Sequence, residues 1–276
     1  MLSPGSTFAG YQIENVVGAG GIGIVYRARQ LRLERPVALK LVEADVARDP
    51  VIRERLRREA RMVAALDHPN VVPLYEAGEE DGTVYIVTRW VEGTELGTLL
   101  HDQGPLDPVR AARTTAQIAA ALEVAHEKGL VHRDVKPSNV ILTPEDHVYL
   151  TDFGLAKRAE TAPGLTAVDQ MLGTVDYVAP EQIEGSEPDA RGDVYALGCV
   201  LFETLTGEPP FGDQQGGMAK MWAQVNADPP PLSGRRSDVP APLEQLIHRA
   251  MAKAPEERPS AAAFRKSALA AVGEDM

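Results

Sequence analysis

Apolar and polar side chains alternate through much of the first ninety positions, and residues 11–17, 22–28, 36–42 and 83–88 each read as a half-buried strand. One helical pattern interrupts them. After Asp49-Pro50, a capping residue and a proline suited to a first turn, apolar residues recur at Ile52, Leu56, Val63 and Leu66, and Glu59 falls on the same stripe. That spacing predicts a carboxylate on the core-facing side of the helix, where an unpaired charge is costly, so a cationic partner is expected. Lys40, on the preceding apolar strand, is the candidate. From Glu92-Gly93 the pattern changes to long helical runs such as residues 108–128, stopped by Gly129. This change predicts a boundary near residues 89–93, dividing residues 1–90 from 91–276. The Pro- and Gly-rich stretches 207–212 and 228–234 read as loops, and no internal repeat is visible.

Composition narrows the class. A chain of 276 residues with 44% hydrophobic content holds one large or two small globular domains. Its formal net charge of -12 argues against nucleic acid or an anionic membrane surface as a partner. Cys199 is the single cysteine and lies in the apolar run 195–202, which excludes an internal disulfide and predicts a buried, inert thiol suited to a reducing compartment. No apolar run approaches the ~18 residues of a membrane span, and residues 1–6 lack the regions of a signal peptide. The expectation is a soluble, cytoplasmic chain; the alternative is the cytosolic portion of a longer, membrane-attached protein. The six histidines form no metal-ligand pattern, and His132 is expected to pack as core behind the loop that follows it.

Three motifs carry the chemistry: His132-Arg133-Asp134 with Asn139, Asp152-Phe153-Gly154, and Ala179-Pro180-Glu181. Together they place one hydroxyl-activating carboxylate and two metal-directed groups in a short stretch, as transfer of a phosphoryl group from Mg-ATP requires. Asp134 is placed to accept a hydroxyl proton, Lys136 to steady a phosphate, and Asn139 to offer a neutral oxygen to a metal. Asp152 ends the strand 147–151, and hard oxygen ligands of this kind suit Mg²⁺. A solvated polar turn is the bland alternative for each stretch, but it leaves the spacings to chance. Gly18-Ala-Gly-Gly-Ile-Gly23 is weaker by itself, because the same pattern opens dinucleotide folds or an ordinary turn. Here a strand follows it. That favours a hairpin whose backbone covers phosphates, with Val25 touching a purine.

Over residues 8–270 these motifs resemble the eukaryotic-like (Hanks-type) serine/threonine protein kinases. The loop 18–26 and Lys136-Pro137-Ser138-Asn139 are similar to the bacterial receptor-type branch of that family. The resemblance implies one two-lobed α+β domain: a small antiparallel sheet with one helix, a hinge near residue 90, and a larger, mainly helical lobe. It implies that Gly18, Gly20 and Gly23 cover phosphates, that Lys40 holds the α and β phosphates, and that Glu59 pairs with Lys40. Val17, Val25, Ala38, Thr88, Trp90, Val91 and Ile141 take adenine-side positions, with Thr88 as gatekeeper and Arg89 where an acidic residue commonly follows. Asp134 takes the catalytic-base position, Lys136 and Asn139 its companions, and Asp152 that of the principal metal ligand. Glu181 and Arg258 resemble a structural ion pair, Asp193 the aspartate that braces the catalytic loop, and Thr174 a residue contacting Asp134 and Lys136.

Lys136 two residues after the base is the serine/threonine pattern and not the tyrosine one, so hydroxyls of protein Ser and Thr are the implied acceptors. ATP with Mg²⁺, or alternatively Mn²⁺, is the implied cofactor set. Thr161 and Thr166 lie on a polar stretch between Asp152 and Glu181, and Arg133 offers a phosphate-binding fork. Autophosphorylation there, in signal transduction and through a homodimer acting in trans, is the expected regulation; plain solvated threonines are the alternative. Arg53, Arg57 and Arg61 form a basic stripe expected to be solvated, with a dimer or regulatory contact as the sharper option. A catalytically dead scaffold of the same fold would lack Lys40, Asp134, Asn139 or Asp152, and all four are present. Small-molecule phosphotransferases with a related core lack a segment ending in Ala-Pro-Glu, so residues 155–181 favour protein substrates.

Overall fold

The computed structural model describes residues 1–20, 23–42, 50–153, 175–187, 189–232 and 234–274. These group into two compact units, one of Met1–Asp67 with Val72–Glu92, the other of His68–Val71 and the described residues from Gly93 onward.

The first unit is built on a six-stranded antiparallel sheet of β1 (Thr7–Phe8), β2 (Tyr11–Gly20), β3 (Gly23–Gln30), β4 (Arg35–Val42), β5 (Leu74–Glu80) and β6 (Thr83–Arg89). Its spatial order is β1-β2-β3-β4-β6-β5. The period of two in β3, β4 and β6 sends Tyr26, Ala28, Val37, Leu39, Tyr85 and Val87 to one face, where they pack with Tyr11 and Ile13. The strands read from alternation are all present. β5 was not foreseen: Leu-Tyr-Glu-Ala-Gly-Glu-Glu is an edge strand with little buried surface, so it carries no apolar alternation. Glu76 in β5 accepts the hydroxyls of Tyr11 and Tyr85 at 2.5 and 2.6 Å, tying the edge to the sheet's core.

Helix α1 (Pro50–Ala64) buries Leu56, Ala60 and Val63, with Glu59 at 9% exposure on the same side. Asp49 and the side chain of Ile52 lie outside the described residues. Arg53 and Arg57 are not simply solvated: they sit 3.2 and 3.1 Å from the two oxygens of Glu79 in β5. Sequence spacing showed the basic stripe but not the acidic strand beside it.

In the second unit, β7 (Thr94–Glu95) leads into α2 (Leu96–Gln103) and α3 (Pro108–Glu127), followed by β8 (Val140–Leu142) and β9 (Val148–Leu150), which close a three-stranded sheet with β7. Asp107 caps α3 by accepting from the amides of Val109 and Arg110, and Pro108 occupies the first turn, where no amide is missed. The helix stops where Gly129 adopts φ 70°, as its sequence position predicts. Residues 68–71 belong here because Asn70 donates to Gln117 and to the carbonyl of Val148, and accepts from the amide of Leu150. Among the described residues the remaining helices are α4 (Pro180–Ile183), α5 (Ala190–Thr206), α6 (Gly217–Asn226), α7 (Ala241–Ala250) and α8 (Ala261–Ala270). α5 is buried on all sides from Gly192 to Leu205 and packs against α3 and α7, so it is the post around which the unit is assembled. Cys199 lies on it fully buried, and burial pushes its thiol well up, as expected of an inert cysteine. Among the described residues, no helix is long and apolar enough to cross a membrane.

Candidate active site

In the first unit the sheet register collects the candidate nucleotide residues. Lys40 lies opposite Val25 on one side and Ile86 on the other, and Ala38 lies between Arg27 and Thr88. Directly paired residues share a face, so Val25, Ala38, Lys40 and Thr88 all lie on the face opposite the Tyr26–Leu39–Val87 core. Gly18 pairs with Val25 and joins that face, after two bulges that shift the β2 register. The glycines of the loop are not equivalent. At Gly23, φ is +146° and an added Cβ would lie 1.9 Å from the Leu41 carbonyl oxygen, so the close packing of the hairpin against β4 demands glycine. At Gly18, no described atom lies within 4 Å of such a Cβ, so the strand leaves room above its backbone. Gly20 pairs with Gly23 at the end of the hairpin, and Val17 is 45% exposed. Val91 is buried, while the Trp90 ring is half-buried, donates to Glu92 at 2.9 Å and carries the Arg27 guanidinium 5.0 Å above it.

In the second unit the loop 131–139 is suspended from one carboxylate. Asp193, 2% exposed in the first turn of α5, accepts the backbone amides of His132 and Arg133 at 2.8 and 2.7 Å, and His126 Nε2 lies 2.8 Å from the same carboxylate. Arg133 takes φ 67°, a conformation uncommon for a side chain of its size, and these bonds hold it there. His132 is fully buried; its Nε2 lies 2.9 Å from the Thr151 carbonyl and its ring 4.6 Å from that of Phe153. Burial holds its pKa below the ordinary histidine value against the opposing pull of Asp193, so at neutral pH the ring is a neutral spacer. The loop thereby presents Asp134, Lys136 and Asn139 together. Lys136 Nζ lies 2.9 Å from Asp134 Oδ2, and the Asn139 amide nitrogen donates to the Asp134 carbonyl and to Oδ2 at 2.7 and 3.1 Å.

Because the nitrogen of Asn139 is committed to Asp134, its oxygen is the end left for a cation. Asp152 leaves β9 with φ 57°, a second unusual non-glycine conformation, and presents a carboxylate. Oxygen donors of this kind fit Mg²⁺. Glu95 belongs to this electrostatic neighbourhood and the sequence reading missed it: its carboxyl is held above the usual range by burial first and by the Asp152 charge second. Ile141, at the centre of β8, pairs with Glu95 and Tyr149. His126 was missed too, because a histidine near a helix end carries no sequence signal for a partner far along the chain.

Arg258 is 1% exposed and all five of its N–H groups are used. It forks onto Glu181 at 2.7 and 2.8 Å and donates to the carbonyls of Ala252, Arg191 and Lys253. The pair thus clamps α4, which starts at Ala179-Pro180-Glu181, to α5 and to the turn before Arg258. Gly154, Thr161, Thr166 and Thr174 lie outside the described residues.

The family model of the protein kinase domain matches residues 11–269. This chain belongs to the protein kinase family. Serine/threonine-protein kinase PknB of Mycobacterium tuberculosis is 41% identical over 278 residues, covering 99% of this chain and 44% of that protein. PknE of the same species is 44% identical over 255 residues, 92% of this chain and 44% of its own length. The kinase domain therefore spans less than half the length of these curated relatives. Among solved structures, the PknI kinase domain of M. tuberculosis superposes with a TM-score of 0.79 at 32% identity, covering 99% of this chain and all of that one. The antiparallel-sheet unit and the helical unit are those of the kinase fold, as the motifs implied.

Proposed function

We propose that this kinase domain transfers the γ-phosphoryl group of Mg-ATP to serine and threonine hydroxyls of proteins. One observation carries the reading: Asp134, Lys136 and Asn139 are held in mutual contact on a loop anchored through its own backbone to the buried Asp193. Asp134 orients the acceptor hydroxyl and takes its proton at the carboxylate, while Lys136 sets a positive charge beside it for the moving phosphoryl group. Asn139 and Asp152 would hold the metal, whose charge would offset that of the phosphate oxygens. Lys40 would hold the α and β phosphates, with Glu59 as its partner on α1. Positioning and charge stabilisation dominate such a transfer, and turnover on the order of 1 to 100 per second is typical of the class.

Serine and threonine are favoured over tyrosine by Lys136-Pro137-Ser138, and a protein acceptor over a small molecule by the segment ending at Glu181. Phosphorylation of Thr161 or Thr166 by a second copy of the chain, read out by Arg133, is the proposed regulation; mass mapping after ATP treatment checks it, and an unmodified segment would count against it. The activity is tested with radiolabelled ATP and Mg²⁺, using the chain alone and with a generic basic protein. Label on serine or threonine that vanishes in Asp134→Asn and Lys40→Met supports the reading, whereas Mg-ATP binding without transfer would favour a nucleotide-binding scaffold.

A further inference from the structure

Helix α6 wears its polarity inside out. Met218 and Trp222, one turn apart, are 75% and 65% exposed, while Gln224 on the other side is fully buried and Lys220 mostly so. An amphipathic helix stabilised by burial alone would show the opposite arrangement, so the inward polar groups are kept for what they hold. They hold the 3-10 turn Val175–Tyr177, which leads directly into Ala179-Pro180-Glu181. Gln224 Nε2 donates to the carbonyls of Val175 and Asp176 at 3.1 and 2.7 Å, and its Oε1 accepts the Tyr195 hydroxyl at 2.5 Å. Lys220 Nζ lies 2.7 and 2.9 Å from the two oxygens of Asp176. The helix is itself tied from behind, since Lys253 donates to the Gln224 carbonyl at 2.8 Å.

We propose that Lys220 and Gln224 are positioning residues for the protein acceptor. They fix the backbone of residues 175–178, and with it the seat of the acceptor chain, without touching the nucleotide. The proposal rests on the reading above that the segment ending at Glu181 engages a protein substrate. Its physical basis is that Lys220 neutralises the mostly buried Asp176 carboxylate with charge-assisted bonds, while Gln224 satisfies carbonyls that would otherwise be free to tilt. Small displacements of a substrate-positioning element are expensive for a bimolecular transfer and leave a reaction with water much less affected.

The experiment is a comparison of three rates in wild type, Lys220→Met, Lys220→Arg and Gln224→Leu: transfer against acceptor concentration, transfer against ATP concentration, and acceptor-free ATP hydrolysis. A generic basic protein serves as acceptor, and a thermal melt confirms that each variant is folded. Lys220→Met is expected to raise the acceptor KM about tenfold while ATP KM and acceptor-free hydrolysis stay within about twofold, and Lys220→Arg to restore most of the loss. Gln224→Leu should move the acceptor KM in the same direction; if it fails to fold, the Lys220→Met and Lys220→Arg pair decides the test. Wild-type transfer with an unchanged acceptor KM in Lys220→Met would overturn the proposal alone, as would an equal loss of hydrolysis. No transfer by wild type would sink the functional reading and the proposal with it.

Discussion

Two buried acids on the same helix behave as different devices. Asp193 and Glu203 lie at opposite ends of α5, with 2% and 9% exposure. Asp193 meets two backbone amides and the ring nitrogen of His126, so its charge is spread over donors from α3 and the loop 131–139. Glu203 meets the hydroxyl of Tyr177 at 2.6 Å. Burial raises its carboxyl to about 7, against the opposing effect of that hydrogen bond, and Asp176 adds to the rise. The lesson is that depth does not decide what a buried carboxylate does; the number and kind of donors around it do. Beneath the loop that carries Asp134 the fold keeps a fixed anchor, and beneath the turn that leads to α4 it keeps a group that titrates near neutrality.

Removing the anchor should have the largest effect. Asp193→Ala leaves two buried amides unpaired and releases Arg133 from its left-handed conformation, and a loss of about 3 to 5 kcal/mol in denaturant unfolding is expected, with phosphoryl transfer abolished. A variant that keeps both stability and transfer would show that the two acids are equivalent after all. Arg258→Ala strands Glu181 and should cost a similar amount, about 3 kcal/mol or more, while leaving Asp134 and its partners intact.

The titrating acid gives a sharper, pH-dependent contrast. A carboxyl raised from 4.5 to about 7 binds a proton in the folded state that the unfolded chain has released, so its contribution is full below pH 4.5 and is lost as pH rises through about 7. Over that window wild type should lose up to about 3 kcal/mol that Glu203→Gln does not lose, and parallel stability curves for the two would contradict the assignment. Tyr177→Phe removes one donor and should cost about 1 kcal/mol at neutral pH. At the small end, Arg53→Ala breaks a surface pair with Glu79 and should shift stability by no more than about 0.5 kcal/mol.

The parts of this molecule that repeat along the chain could be read from it. Period-two alternation marked β2, β3, β4 and β6; the helical run 108–128 with its Gly129 stop marked α3; and Glu59 announced its buried position by sharing the α1 stripe with Leu56 and Val63. The grouping of Asp134, Lys136 and Asn139 was legible because these residues sit within a few positions of each other. What stayed hidden is non-local. β5 lies at an edge and has no apolar rhythm, and residues 68–71 join the second unit through bonds of the Asn70 side chain and backbone to Gln117, Val148 and Leu150. α5 is buried on every side, so it has no polar face to set its period. The partners of Asp193, Glu203 and Gln224 lie far along the chain, and no local spacing names them.

The most direct test of the whole account is a paired measurement on wild type and Asp134→Asn: binding of Mg-ATP by calorimetry and, in the same samples, the rate of phosphoserine and phosphothreonine formation on a protein acceptor. Nucleotide binding is expected to survive in the variant while transfer falls by about a thousandfold or more, since the proposed acceptor of the hydroxyl proton is gone and the proposed phosphate-holding residues remain. Transfer that persists in Asp134→Asn, or that is absent from a wild-type protein saturated with Mg-ATP, would contradict it.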